Sequence, residues 1–157
     1  MVYPHFYDIV PLIEDCGISV PLQIALITHT FINEHFASEL FFLWDVVCVV
    51  GEGRIQPCEE IIYDNETAFF LALEYLLVQN YCRLITNDGN KEINKALAKM
   101  DAKQACQLLK DVWIGEEAMN KLDEENGYLG WWFVVLCPYN IVHRYTDESG
   151  EEQWVLN

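Results

Sequence analysis

Positive charge is scarce in this sequence of 157 residues, in which 9 Lys and Arg stand against 25 Asp and Glu and the formal net charge is −16 at pH 7. No Lys or Arg occurs before Arg54. A secretory signal begins with basic residues ahead of an apolar stretch, so export by that route is not expected. A field this negative repels phosphate backbones, which argues against direct binding of DNA or RNA.

Long apolar runs are also missing, because acids interrupt the two richest stretches. Asp45 lies within residues 40–50, and Glu74 lies within residues 68–78. A helix that spans a bilayer needs about 20 predominantly apolar residues in succession. The sequence therefore predicts no membrane span, and without an export signal it predicts a cytoplasmic protein.

Cysteine pairs of the Cys-x-x-Cys type are absent. The six cysteines are spread almost evenly along the chain: Cys16, Cys48, Cys58, Cys82, Cys106 and Cys137. Zinc sites usually contain such a pair, and disulfide frameworks are typical of short secreted chains. We therefore expect reduced thiols that bind no metal, with those in apolar or amphipathic segments buried.

Aromatic residues are plentiful, with 8 Phe, 8 Tyr and 5 Trp, and the hydrophobic content of 52% suffices for a core. A chain of this length usually forms one domain, so we expect a single domain over residues 1–157, with residues 1–19 as an irregular arm broken by proline and glycine. Apolar periodicity, caps and breakers predict helices over residues 21–36, 66–79, 91–100, 101–113 and 116–127.

Segments rich in aromatic and β-branched residues predict the strands. Residues 40–50 read as a buried strand, which a turn at residues 51–53 joins to an edge strand containing Pro57. A short strand is expected at Tyr81–Thr86, followed by a turn at residues 87–89. From Leu129 an antiparallel meander is expected, with strands at residues 129–137, 141–146 and 153–156 and turns at residues 138–140 and 147–150. The predicted class is α+β: one domain, with an antiparallel sheet and a C-terminal β-meander packed against several helices.

Metal and phosphate sites find no support in the spacing of the residues. His29 and His35 are six apart, which turns the second side chain about 240° around a helix from the first, whereas histidines that bind one metal on a helix face sit four apart. Gly51 and Gly53 lack the third glycine, the Lys and the Ser or Thr of a phosphate-binding loop. No cofactor is predicted.

Two candidates for catalysis are weak. A hairpin could bring Cys137 near His143 as a nucleophile and its base, but Cys137 follows an uninterrupted run of apolar and aromatic residues, and nothing nearby lowers a thiol pKa. Asp45 is the acid set most deeply in apolar sequence, and it could face solvent or meet Arg83. We expect no enzyme activity.

Acidic residues concentrate near the C-terminus, and there we place the partner-binding site. The predicted set comprises Asp147, Glu148, Glu151, Glu152 and Trp154 around one turn, and the upstream acids Asp123, Glu124 and Glu125. Clustered like charges repel one another, which a basic partner relieves on binding. A tryptophan beside them supplies the aromatic anchor that dominates many interfaces.

The leading hypothesis is an acidic cytoplasmic inhibitor, such as an immunity protein or antitoxin that neutralises a basic protein, for instance a nuclease toxin. The alternatives are a small hydrolase-type enzyme with an acid-based site and a structural subunit of a larger assembly. An inhibitor should show a negative face without a deep pocket, and an enzyme should show a concave site with perturbed pKa values. A subunit should show a large exposed apolar patch.

Overall fold

The computed structural model describes residues 21–53 and 61–156. Their elements in chain order are α1 (Leu22–Glu34), α2 (Leu40–Gly51), α3 (Asn65–Val78), β1 (Cys82–Thr86), α4 (Lys91–Ala98), α5 (Ala102–Val112), α6 (Glu116–Asn126), a π-helical turn (Trp132–Leu136), β2 (Tyr139–Thr146) and β3 (Glu152–Val155). The predicted arm, the Pro57 strand, Cys16 and Cys58 lie outside the described residues. In the described ranges, no helix has both the length and the apolar character needed to cross a bilayer.

The sheet has three antiparallel strands in the order β1-β2-β3. Leu84 on β1 pairs with Ile141 on β2, and Arg144 on β2 pairs with Trp154 on β3. Helix α4 packs on β1 through Asn94, whose side-chain oxygen accepts a hydrogen bond of 2.8 Å from the Thr86 amide. The α+β class, with an antiparallel sheet packed against helices, is confirmed.

The chain divides into two compact units. The first unit comprises residues 1–36 and 42–73, and the second comprises residues 37–41 and 74–157. In the first unit the large side chains with no more than 2% exposure are Ile24, Leu26, Ile27, Phe31, Leu43, Val46, Val47, Val50, Phe69 and Leu73. In the second they are Leu40, Leu76, Leu109 and Ile141. A single domain over residues 1–157 stays a prediction.

The predicted helices over residues 21–36, 66–79, 91–100, 101–113 and 116–127 are confirmed as α1 and α3 to α6, and several of their ends carry the expected caps. The Asp64 carboxylate accepts from the Thr67 amide at 2.7 Å. Asp101 forms a capping box with Gln104, and Gly127 ends α6 in the left-handed conformation with a φ of 62°. Such caps satisfy backbone groups that a helix end leaves unpaired.

The predicted strand over residues 40–50 is wrong, because this segment is helix α2. Leu43, Val47 and Val50 are fully buried at intervals of four and three residues, which is the period of a helix face. Asp45 falls between these positions and is half-buried. Packing outweighs the β-propensity of Val, Phe and Trp here, since that propensity is itself dependent on context.

The predicted strand over residues 129–137 is also wrong, because Trp132–Leu136 form a π-helical turn. The Cys137 amide donates to the Trp132 carbonyl at 2.7 Å, five residues back. The predicted turn at residues 138–140 is mostly strand, since β2 already begins at Tyr139. The strands expected at residues 81–86, 141–146 and 153–156 are confirmed, as is the turn at residues 147–150.

Candidate functional site

The turn between β2 and β3 is organised by the carboxylate of Asp147. One of its oxygens accepts hydrogen bonds from the Ser149 hydroxyl at 2.6 Å and from the amides of Ser149 and Glu151 at 2.9 and 3.0 Å. The other accepts from the Gln153 amide group at 3.0 Å. Hydrogen bonds from Ser149, then Gln153, lower the pKa of Asp147. Asp147 therefore holds the turn in shape.

Two arginines contact Trp154 and Glu152, which are also members of the predicted hairpin site. The guanidinium carbon of Arg83 lies 3.9 Å from the ring centroid of Trp154. Arg144 pairs with Glu152 at 3.4 Å and donates to the Asn80 carbonyl at 2.8 Å. Cations stack favourably on indole rings, so Trp154 already has a cation partner within the sheet.

Glu148 and Glu151 are exposed on the same turn, and their carboxylates face solvent. The acidic residues of the hairpin thus have two different roles. Asp147 and Glu152 make contacts within the fold, whereas Glu148 and Glu151 present charge outward from a turn of defined shape. Within the hairpin, these two side chains are the ones best placed to meet a partner.

The second predicted group lies at the C-terminal end of α6. The Asp123 carboxylate accepts from the Trp131 amide at 2.9 Å, and its carbonyl accepts from the Tyr128 amide at 3.2 Å. Glu124 and Glu125 are exposed. Asp123 therefore shapes the loop that follows the helix, and its two neighbours carry charge into solvent.

Directly after these acids in the sequence lies an exposed apolar surface that was not predicted from the sequence, and we call it the apolar patch. Its side chains and their exposed fractions are Tyr128 (49%), Leu129 (71%), Val134 (46%), Val135 (51%) and Leu136 (53%). The strand expected there would have turned every second side chain inward. The sequence feature that could have indicated this surface is the run of three aliphatic residues from Val134 to Leu136. A buried strand has the same pattern, so the run alone does not distinguish the two.

The apolar patch rests on a cluster of aromatic rings. Trp132 and Phe133 are buried, and their centroids lie 5.4 and 5.9 Å from that of Trp113 in edge-to-face geometry. Phe133 also lies 5.9 Å from Phe41. Aromatic pairs in such geometry add stabilisation beyond the area they bury. The π turn thus places two neighbouring rings inward and the next three side chains outward.

Cys137 and His143, the candidate nucleophile and base, do not pair with each other. His143 contacts Cys82 instead. The sulfur of Cys82 is 4.0 Å from His143 Nδ1, and His143 Nε2 is 2.8 Å from the Ser38 carbonyl. Since a carbonyl only accepts, Nε2 carries the proton and Nδ1 can accept from the thiol. The Cys137 thiol instead donates to the Tyr139 carbonyl at 3.4 Å.

The buried thiols are poor nucleophiles. Burial raises the pKa of Cys82 to about 12, that of Cys106 to about 12 and that of Cys137 to about 11. Thiolates, not thiols, attack substrates and bind metals. The thiols of Cys82, Cys106 and Cys137 therefore stay protonated near neutral pH.

The remaining sequence candidates are also placed by the structure. Asp45 lies close enough to His35 for its charge to raise the pKa of that imidazole, against the larger lowering caused by burial. His29 Nδ1 contacts the Asn33 side chain at 3.3 Å. Within residues 21–53 and 61–156, no three His, Cys, Asp or Glu side chains come together as metal ligands would.

We expect the protein to lose stability as the pH falls below 6.5. Burial lowers the pKa of His143 from its ordinary value of 6.5, and the hydrogen bond to Ser38 opposes part of this shift. The unfolded chain therefore binds the proton more readily, so the free energy of unfolding is highest above pH 6.5 and decreases as pH falls through the folded pKa. Urea unfolding at about pH 7.5 and about pH 5.5 measures the difference.

The matched variant for this measurement is His143→Gln, which has no titrating group. Its difference in unfolding free energy between the two pH values should be smaller than that of the unmodified protein. A residual difference is expected from His35, whose pKa burial also lowers. An undiminished difference in the variant would show that His143 does not cause the acid sensitivity.

No protein-family model, no curated protein and no solved structure matches this chain. What the protein does is therefore inferred from the residues and surfaces described above.

Proposed function

We propose that this chain is an acidic protein-binding inhibitor, of the immunity-protein or antitoxin kind, that neutralises a basic partner such as a nuclease toxin. The observation that carries the proposal is the outward placement of Glu148 and Glu151 on a turn held by the Asp147 carboxylate. A nuclease groove is positive because it binds phosphates. Two carboxylates held on a turn of defined shape offer such a groove a preorganised negative counterpart.

The overall charge supports the same proposal through kinetics. A net charge of −16 produces a long-range field that attracts a basic protein before contact. Such steering raises association rates and weakens as salt screens it over a Debye length of about 8 Å at physiological ionic strength. An inhibitor that must reach a toxin before its substrate does would benefit from fast association.

Charge reversal at the turn tests the proposal. We expect the double variant Glu148→Lys with Glu151→Lys to associate about tenfold more slowly at low salt with a basic partner captured from the source cells. Its rate should also depend less on salt concentration. Inhibition of the partner's nuclease activity should weaken in parallel, and stopped-flow association at two salt concentrations measures the rate.

The control variant combines Glu92→Lys with Asp111→Lys, which changes the net charge equally at exposed positions on α4 and α5. If both double variants slow association by the same factor, total charge and not the hairpin steers the partner. If the hairpin variant keeps the rate and salt dependence of the unmodified protein, the hairpin is not the contact and residues 123–125 become the next candidate.

A structural subunit of a larger assembly is the second candidate, and the apolar patch is the observation that favours it. Exposed apolar surface of this kind often marks a protein interface. Salt separates the two candidates, because contacts between opposite charges weaken at high salt whereas apolar contacts persist. A stoichiometric assembly whose association rate neither depends on salt nor falls in the Glu148→Lys, Glu151→Lys variant would support the subunit.

The enzyme alternative gains no such observation among the described residues. The carboxyls of Asp64, Asp88 and Asp147 have lowered pKa values, and in each case hydrogen bonds at a helix start or a turn are the main cause. Those bonds have structural roles. A pocket of about 90 Å³ beside Leu77, Leu84 and Asp101 is small for a substrate site, since ligand pockets typically have several hundred Å³.

A further inference from the structure

We infer that the apolar patch, with Glu124 and Glu125 at its rim, is a docking site for a partner segment that presents apolar side chains flanked by Lys or Arg. The inference rests on the proposed function for the basic character of the partner. It assigns a contact surface separate in sequence from the β2–β3 turn, with apolar burial as its main source of affinity and charge as its source of selectivity.

The first support is that the fold itself holds Val134, Val135 and Leu136 outward. Burial of Trp132 and Phe133 on one side of these residues and of Cys137 on the other fixes the direction of the turn. Three consecutive exposed aliphatic residues favour aggregation and are avoided on surfaces that have no binding role. Leu129, three residues before the turn, is a further exposed aliphatic side chain, at 71%.

The local backbone gives a second support. Stretches of π-helix are rare, and they occur frequently at functional sites. Here the π turn leaves all three aliphatic side chains exposed, whereas a strand would have sent them alternately to opposite faces. The unusual backbone and the unusual exposure therefore coincide.

The third support is the charge at the rim. Glu124 and Glu125 occupy the last turn of α6, which contains no basic residue. The C-terminal end of a helix carries partial negative charge, so acids there are unfavourable unless a cation compensates them. Lys or Arg side chains of a bound partner would provide that compensation next to Tyr128 and Leu129.

Charge also argues against the other occupants of an apolar surface. A second copy of this chain would bring its own Glu124 and Glu125, and a net charge of −16, against the same rim. An anionic membrane would be repelled by the same acids. A basic segment with apolar side chains satisfies both parts of the surface, so we commit to that partner.

The probe is a fluorescein-labelled peptide of roughly 18 residues, made of Leu and Lys in an order that gives a helix one apolar face. We expect it to bind the full chain in a fluorescence anisotropy titration. The variant Leu129→Ser with Val135→Ser should weaken binding by about tenfold or more. The variant Glu124→Gln with Glu125→Gln should weaken it several-fold and reduce its dependence on salt.

Controls separate this site from general stickiness. A scrambled peptide of the same composition and a Leu and Glu peptide with the same apolar face should both bind more weakly. The matched protein variant is Ile93→Ser with Ile114→Ser, which removes aliphatic side chains of 44% and 41% exposure elsewhere in the second unit. It should bind the probe as the unmodified chain does, and circular dichroism shows whether each variant is folded.

Several outcomes would overturn the inference: equal binding of the scrambled peptide, equal loss in both serine variants, or no loss in the patch variant. A self-association constant that the patch variant lowers would identify a second copy as the occupant, and patch-dependent binding to phosphatidylcholine vesicles would identify a lipid surface. Failure here is distinguishable from failure of the proposed function. If the patch variant still inhibits a captured basic partner fully, the patch is not the docking site, and the inhibitor proposal is unaffected.

Discussion

Replacing Gly130 by alanine is expected to lower the free energy of unfolding by about 2–4 kcal/mol, one of the two largest effects predicted for this protein. Gly130 has a φ of 80°, a conformation that side-chain-bearing residues rarely adopt. A Cβ placed there would lie 2.6 Å from Cδ1 of Phe41, a ring that packs on Phe133. The substitution therefore combines backbone strain with a clash in the aromatic cluster under the apolar patch.

Gly127→Ala is the matched control for this prediction. Its φ of 62° imposes a similar backbone cost, but no atom lies within 4 Å of the added Cβ. We expect a loss of about 1–2 kcal/mol there. Urea unfolding of both variants gives the comparison, and equal losses would mean that the contact with Phe41 contributes nothing to the effect.

Replacing Asn140 by alanine should lower the free energy of unfolding by about 2–4 kcal/mol. Asn140 is 8% exposed, and its side-chain oxygen accepts from the Leu40 amide at 2.8 Å and from the Ile141 amide at 2.9 Å. Its side-chain nitrogen donates to Asn87 at 3.2 Å. Alanine would leave buried donors at the start of α2 and in β2 without this acceptor, and such groups are costly to bury unpaired.

The control is Asn87→Ala, which removes the other end of the same hydrogen bond at an exposed position. Asn87 donates to the carbonyls of Cys137 and Tyr139, and water can replace these bonds. We expect a loss of about 1 kcal/mol. If the Asn87 variant lost as much as the Asn140 variant, the link to Leu40 would not be the stabilising contact.

The candidate site was predictable only in part. That residues 147–152 form a charged turn follows from their composition, since Asp, Ser and Gly favour turns and charges favour solvent. The tertiary structure decides which carboxylates face solvent, because their partners are distant in sequence. Arg83 lies over Trp154, and Arg144 pairs with Glu152. The apolar patch could not be predicted at all, because its outward direction depends on rings separated by up to 92 positions in sequence, from Phe41 to Phe133.

Local chemistry in the sequence determined where helices α3 to α6 begin and end. Asp64, Asp101 and Gly127 act through hydrogen bonds and backbone preferences within a few residues, so their effects are readable without the fold. The antiparallel pairing of β2 with β3 follows equally from the turn that joins them.

Only the tertiary structure decided the conformations of α2 and of the π turn. Both segments are rich in aromatic and β-branched residues, and in isolation their composition favours strands. Trp44 packs edge-to-face on Phe69, and Trp132 packs in the same way on Trp113, at centroid distances of 5.8 and 5.4 Å. The free energy of burying such rings exceeds the roughly 1 kcal/mol that separates residues in strand propensity, so long-range packing selects the helical backbone.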